Sequence, residues 1–113
     1  MIISEYEFGS LTAGDSTYTK DIIIFPNRIY SPWWRKDGHM LQVEDLPEVL
    51  REALPLLIIG TGYNSLMLVP DDVISFLGSR KIDVIVENTR SATDIYNERS
   101  RIVPAAAALH LTC

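Results

Sequence analysis

Leu56-Leu57-Ile58-Ile59-Gly60-Thr61-Gly62 decides the fold. Four consecutive apolar residues closed by a glycine pair are too few for a helix, and a continuous apolar run fits a central parallel strand covered on both faces. A second such run, Ile82-Asp83-Val84-Ile85-Val86, follows some twenty residues later, which is the spacing of a strand, a crossover helix and the next strand. The segment between supplies that helix. Pro70 can occupy its first position, Asp71 and Asp72 favour the positive end of the helix dipole, and Val73, Ile74, Phe76 and Leu77 form its apolar stripe, so a helix is expected from Pro70 to near Arg80. Leu66-Met67-Leu68-Val69, ahead of it, reads as extended.

Working outward on the carboxyl side, Asn88-Thr89-Arg90-Ser91 is a loop entering another helix. Ser91-Ala92-Thr93-Asp94 has the spacing of a capping box, and Ala92, Ile95, Tyr96 and Arg99 share a face. A last strand is expected from Pro104 to about Thr112, through the small residues Ala105 to Ala108. On the amino side, Leu46, Val49, Leu50 and Ala53 form a helical stripe starting near Asp45, with Pro47 tolerable in the first turn.

The first third has a different rhythm, of short apolar segments between turn residues, which is antiparallel punctuation. Tyr6 and Phe8 alternate with Glu5 and Glu7, predicting one buried face, and a turn at Ala13-Gly14-Asp15-Ser16 leads to a return strand. Ile22-Ile23-Ile24-Phe25 suggests a strand buried on both sides, with Arg28-Ile29-Tyr30 as its partner. The whole reads as a three-layer α/β domain: a central mixed, partly parallel sheet, flanking helices and an antiparallel β extension at the N-terminus. One domain over residues 1–113 is expected, without repeats, linkers or low-complexity segments.

Composition bounds the function. The chain has 113 residues, 47% hydrophobic and 22% charged, enough for one core and far from the composition of disorder. Lys+Arg 10 against Asp+Glu 15 gives a formal net charge of -5, which argues against nucleic-acid binding because that affinity rests on clustered cations. A single cysteine, Cys113, excludes an internal disulfide and suits a reducing compartment. No signal-peptide pattern opens the sequence, and no apolar stretch approaches the ~18 residues of a membrane span, so a cytoplasmic protein without membrane contact is expected.

Candidate chemistry is sparse. Gly60-Thr61-Gly62-Tyr63-Asn64-Ser65 follows a strand as a dinucleotide-binding loop does, and Glu87 ends the next strand. However, the loop does not open into a helix, the third glycine position holds Ser65, and no P-loop lysine is present. Gly60, Thr61, Gly62, Asn88, Thr89 and Arg90 nevertheless converge if the two strands are neighbours, because ligands of open α/β sheets collect at strand carboxyl ends. Amides, hydroxyls and a guanidinium there could hold a small anion; the simpler reading is that Thr89 or Ser91 caps the helix and Arg90 is solvated. His39, His110 and Cys113 have no metal-ligand spacing, and His110 in Leu109-His110-Leu111 reads as structural, so neither metal nor cofactor is expected. Trp33 and Trp34 are adjacent and must point to opposite sides in an extended chain. One can enter the core while the other anchors an interface.

Phe8-Gly9, Tyr18-Thr19-Lys20-Asp21, Trp34-Arg35 with Gly38-His39, Gly60-Thr61-Gly62, Asn88-Thr89, Tyr96-Asn97 and Ala107-Ala108-Leu109-His110-Leu111-Thr112-Cys113 together resemble a small domain family of Mth type. It occurs in archaea and bacteria, and its eukaryotic relatives include the adipogenesis-associated domain protein and a mitochondrial respiratory complex I assembly factor. The resemblance spans nearly the whole chain and implies a three-layer α/β fold with a β-rich amino end. It implies no reaction, and its best-understood branch acts by protein association. The amino-terminal extension of the mitochondrial branch is not found here, so no organelle role is expected. Two functions follow: a non-enzymatic interaction or assembly domain that takes a protein partner or a second copy of itself, or a protein that binds a small anion or molecule at the strand carboxyl ends.

Overall fold

The computed structural model describes all residues 1–113. A five-stranded sheet in the order β5-β4-β8-β6-β7 forms its middle layer. The strands are β4 (Ile22–Ile24), β5 (Ile29–Tyr30), β6 (Leu56–Gly60), β7 (Asp83–Glu87) and β8 (Ala105–Leu109). β6 runs parallel to both β7 and β8, and β4 is antiparallel to β8 and β5, so the sheet is mixed. The three-layer α/β expectation holds.

Alternate side chains of the central strands serve two separate cores. Ile22, Ile24, Leu56, Ile58, Ala105, Ala107 and Leu109 meet helix α3 (Thr89–Arg99) through Ala92 and Tyr96. Ile23, Phe25, Leu57, Ile59, Ala106 and Ala108 face the other way, onto α1 (Pro47–Glu52), α2 (Asp71–Ser79) and buried Trp33. The alanine run explains itself in this position. Alanine has little preference for strands, but in the middle of a sheet covered on both faces a short side chain lets helices approach closely.

A small antiparallel sheet, β1 (Ile3–Glu7), β2 (Ser10–Ala13) and β3 (Ser16–Tyr18), lies over the α3 side. It adds Ile3, Tyr6, Leu11 and Ala13 to the first core. Its free edge is tied to α3 by Asn97, whose amide accepts from Ile3 N–H at 2.9 Å and donates to Ile3 C=O at 2.7 Å, replacing a neighbouring strand.

Several boundaries differ from those read in the sequence. Phe8 was expected on the buried face of β1 with Tyr6 but is 53% exposed, because the strand ends at Glu7 and Phe8 lies in the turn with Gly9; upstream, a register shift between Ile3 and Glu5 makes Ile3 the second inward residue beside Tyr6. The capping box at Ser91 does not form: Asn88 caps α3 by accepting from Ser91 N–H at 2.9 Å, so the helix begins at Thr89. Pro70 precedes α2 as its cap residue, and α1 begins at Pro47 after a single 3-10 turn over Val43–Asp45. The last strand stops at Leu109. Beyond it Leu111 N–H finds a side chain, Asp21 Oδ1, at 2.7 Å in place of a strand partner. Leu66 to Val69 join no strand, and only Leu68 makes a bridge, to Met40.

Candidate functional site

β6 and β7 are neighbours, which sets the glycine turn beside the amino end of α3. Thr89 is the hinge of this junction. Its buried hydroxyl accepts from Gly62 N–H at 2.8 Å and donates to His110 C=O at 2.6 Å, while its own N–H donates to Gly62 C=O at 3.1 Å. The Thr61 amide and hydroxyl both donate to Glu87 C=O, at 2.9 Å and 3.1 Å. Gly60, Thr61, Gly62, Asn88 and Thr89 therefore meet. The junction is filled by the chain itself: a Cβ at Gly60 would stand 2.8 Å from Thr89 Oγ1, and one at Gly62, where φ is +112°, would overlap the Cys113 carbonyl. Both glycines are close-approach positions where backbone packs on backbone.

Arg90 diverges from this group. It points along β1, donates to Tyr6 C=O at 3.3 Å and sits 5.7 Å above the Tyr6 ring. Beside it lies a surface cavity of about 340 Å³ whose charged lining is Glu5, Glu7 and Asp94 as well as Arg90. Burial raises the Tyr6 hydroxyl pKa, and that hydroxyl donates to Leu111 C=O at 2.9 Å.

A buried ionic cluster not singled out in the sequence lies on the opposite side of His110. Asp21 Oδ2 accepts from Arg35 at 2.8 Å and from His110 Nδ1 at 2.7 Å, and Oδ1 takes the Leu111 amide. With the His110 proton on Nδ1 for Asp21, the 3.1 Å approach of Arg35 to the same nitrogen is a contact and no second hydrogen bond. Arg35 lies 4.5 Å over the Trp33 ring and donates to Gly38 C=O at 3.3 Å, leaving Nε and Nη1 buried without partners, as is His110 Nε2. Burial pushes the Asp21 carboxyl up, but the hydrogen bonds from His110, Leu111 and Arg35 together hold it below its ordinary value. The signal in the sequence was an aspartate leading a wholly apolar strand and a histidine between two leucines: both had to be partnered to be buried. No group of three or more His, Cys, Asp or Glu side chains is arranged to hold a metal ion, and no helix is long and apolar enough to cross a membrane.

The surface at the carboxyl ends of β6 and β8 carries several exposed apolar side chains among polar ones. Trp33 is buried at 3% exposure, its indole N–H donating to Asp45 C=O at 2.8 Å, whereas Trp34 is 74% exposed beside Thr112. The loop after β6 presents Tyr63, Leu66 and Leu68, each about half exposed or more. Phe8 packs edge-on against Tyr63 at 5.8 Å between centroids, and Met40 is joined to Leu68 by the bridge between their strands of loop. Tyr63 N–H and Leu66 N–H bond Thr112 C=O and Cys113 C=O, which fixes this loop on the segment after β8.

Solved structures share this architecture over all or nearly all of their length. The conserved hypothetical protein PH1505 of Pyrococcus horikoshii OT3 is 25% identical, with a TM-score of 0.84 and 100% of both chains covered. An outer membrane protein of Bartonella henselae is 26% identical at a TM-score of 0.83, covering 98% of this chain and 94% of that one. The protein MT938 is 29% identical at a TM-score of 0.80, covering 99% and 98%, in keeping with the Mth-type resemblance carried by the sequence motifs. The family described as Protein of unknown function (DUF498/DUF598) matches residues 3–110, and with nearly every residue of the fold inside that match the chain belongs to this family.

Proposed function

We propose that the chain is a non-enzymatic association domain that binds another protein, or a second copy of itself, through the apolar rim at the carboxyl ends of β6 and β8. The observation that carries this reading is Trp34, 74% exposed beside Thr112, the residue whose C=O anchors the loop bearing exposed Tyr63 and Leu66. Water around large aromatic side chains is released when a partner covers them, and such side chains dominate measured interface energies. The assembly branch of the resembling family, which acts by association, supports the same view, and one cysteine suits a reducing cytoplasmic setting.

A small anion between Gly60-Thr61-Gly62 and Asn88-Thr89-Arg90 has less support. Thr89 is already engaged at both its donor and acceptor sites, and the cavity beside Arg90 carries the carboxylates of Glu5, Glu7 and Asp94, which repel an anion. Light scattering on the wild type and Trp34→Ala, with affinity capture from lysate as the second arm, tests the proposal. Self-association or a single retained protein that Trp34→Ala weakens at least tenfold, at a melting temperature within about 2 °C of wild type, is expected. Equal mass by light scattering and equal retention of partner proteins in wild type and Trp34→Ala overturn it.

A further inference from the structure

A second surface is independent of the rim. β7 ends the five-stranded sheet, so one of its edges has no neighbour. The hydrogen bonds to β6 show which groups face outward. Asp83 N–H donates to Pro55 C=O and Glu87 C=O accepts from Thr61 N–H, so in a parallel ladder Asp83, Ile85 and Glu87 bond inward and the N–H and C=O of Val84 and Val86 point away from the sheet. An edge of this kind is a template for another strand. Its side chains are not those of a solvated edge: Val84, Ile85 and Val86 are all partly exposed, and Ile74 of α2 and Ile95 of α3, at intermediate exposure, lie on the helices flanking it.

We infer that β7 pairs with β7 of a second copy of this chain, antiparallel about a two-fold axis at Val84, joining two sheets into one. Charge selects the occupant and the register. With the axis at Val84, residue Glu87 faces Lys81 of the other copy, and the two-fold repeats that ion pair. Val84 exchanges both backbone bonds with its counterpart, and Val86 N–H reaches Ile82 C=O, whose own N–H is already used by Leu77 C=O. With the axis moved one residue, to Ile85, the backbone pairs equally well but Asp83 faces Glu87, twice. Like charges directly opposite destabilise a strand pair, so the side chains separate two registers that the backbone does not. Lys81 is exposed, in the turn before the strand with φ +65°, with a stem long enough to reach across.

Single cysteines test this in the full chain carrying Cys113→Ser. Directly opposed residues of a hydrogen-bonded antiparallel pair have Cα atoms about 5.5 Å apart, within disulfide range. Under mild oxidation Val84→Cys is expected to give a covalent dimer at least tenfold faster than Ile85→Cys. Val84→Pro, which removes an outward N–H that no neighbour uses, is expected to shift sedimentation to the monomer while the circular dichroism spectrum is unchanged. Faster cross-linking of Ile85→Cys, no dimer from either cysteine, or a Val84→Pro protein that sediments as the wild type does overturns the pairing. A dimer whose cross-linking is abolished by added Lys-Val-Ile-Val-Lys peptide without forming the Val84→Cys disulfide at higher protein concentration also overturns it, in favour of a basic strand partner. Trp34→Ala leaves the Val84→Cys cross-link intact, which keeps this surface separate from the rim.

Discussion

Replacing Asp21 by Asn tests the account of the buried cluster. The carboxylate receives Arg35 at 2.8 Å, His110 at 2.7 Å and the Leu111 amide at 2.7 Å, and the Arg35 side chain is only 4% exposed. An asparagine keeps one acceptor oxygen but no charge, so the guanidinium, already short of partners at Nε and Nη1, becomes an unneutralised buried cation. Breaking a buried pair from one side costs about 3–5 kcal/mol, a large share of the roughly 5–15 kcal/mol that holds a domain folded. Unfolding entropy near 60 °C is about 2.1 cal/mol/K per residue, so the 113 residues carry about 240 cal/mol/K and the melting temperature should fall by about 13–21 °C. Calorimetry reads this directly. The pH dependence gives a second readout. The folded carboxyl titrates below its unfolded value of about 3.9, so its stabilisation is present above about pH 4 and is lost as pH falls through the folded value. Asp21→Asn has no such group, so the gap between the two proteins narrows below about pH 4. A fall of less than about 4 °C at neutral pH, equivalent to about 1 kcal/mol, would refute the claim that Asp21 neutralises a buried charge.

Thr89→Val keeps the shape of the junction but strips Gly62 N–H and His110 C=O of their partner, and urea unfolding should show a loss of about 2–6 kcal/mol, each of the two orphaned groups costing about 1–3. Tyr96→Phe goes the other way: the hydroxyl is buried, has no partner, and its pKa is raised by that burial. Its removal should leave the urea midpoint unchanged or raise stability by about 1 kcal/mol, and a loss above that would reveal a bond the fold depends on. These join the rim and edge-strand tests, in which Trp34→Ala and Val84→Pro act on association and spare the fold.

Much of the fold was legible because burial writes a period into the chain. Leu56 to Ile59 and Ile82 to Val86 had to be parallel strands, and the stripe from Val73 to Leu77 had to be the helix between them. Ile22 to Phe25 announced a strand covered on both faces. What misled was local: β1 ends before Phe8, which turns outward while Tyr6 stays buried, and Asn88 took the capping role that the spacing had given to Ser91. The adjacency of the glycine turn and Thr89 was also readable, since it needs only β6 beside β7. That the space between them is occupied was not.

The sequence by itself determined the strand and helix segments, the mixed three-layer arrangement, the acidic surface and the pairing of one buried with one outward tryptophan, because each follows from spacing along the chain. Only the tertiary structure decided which tryptophan is outward, that Arg90 leaves the Thr89 junction for β1, and that Asp21, Arg35 and His110 form one ionic cluster. Those three are separated by 14 to 89 positions in the chain, and no periodicity links residues so far apart. A buried charge needs a counter-charge somewhere, but the chain must fold before it is settled which one it meets.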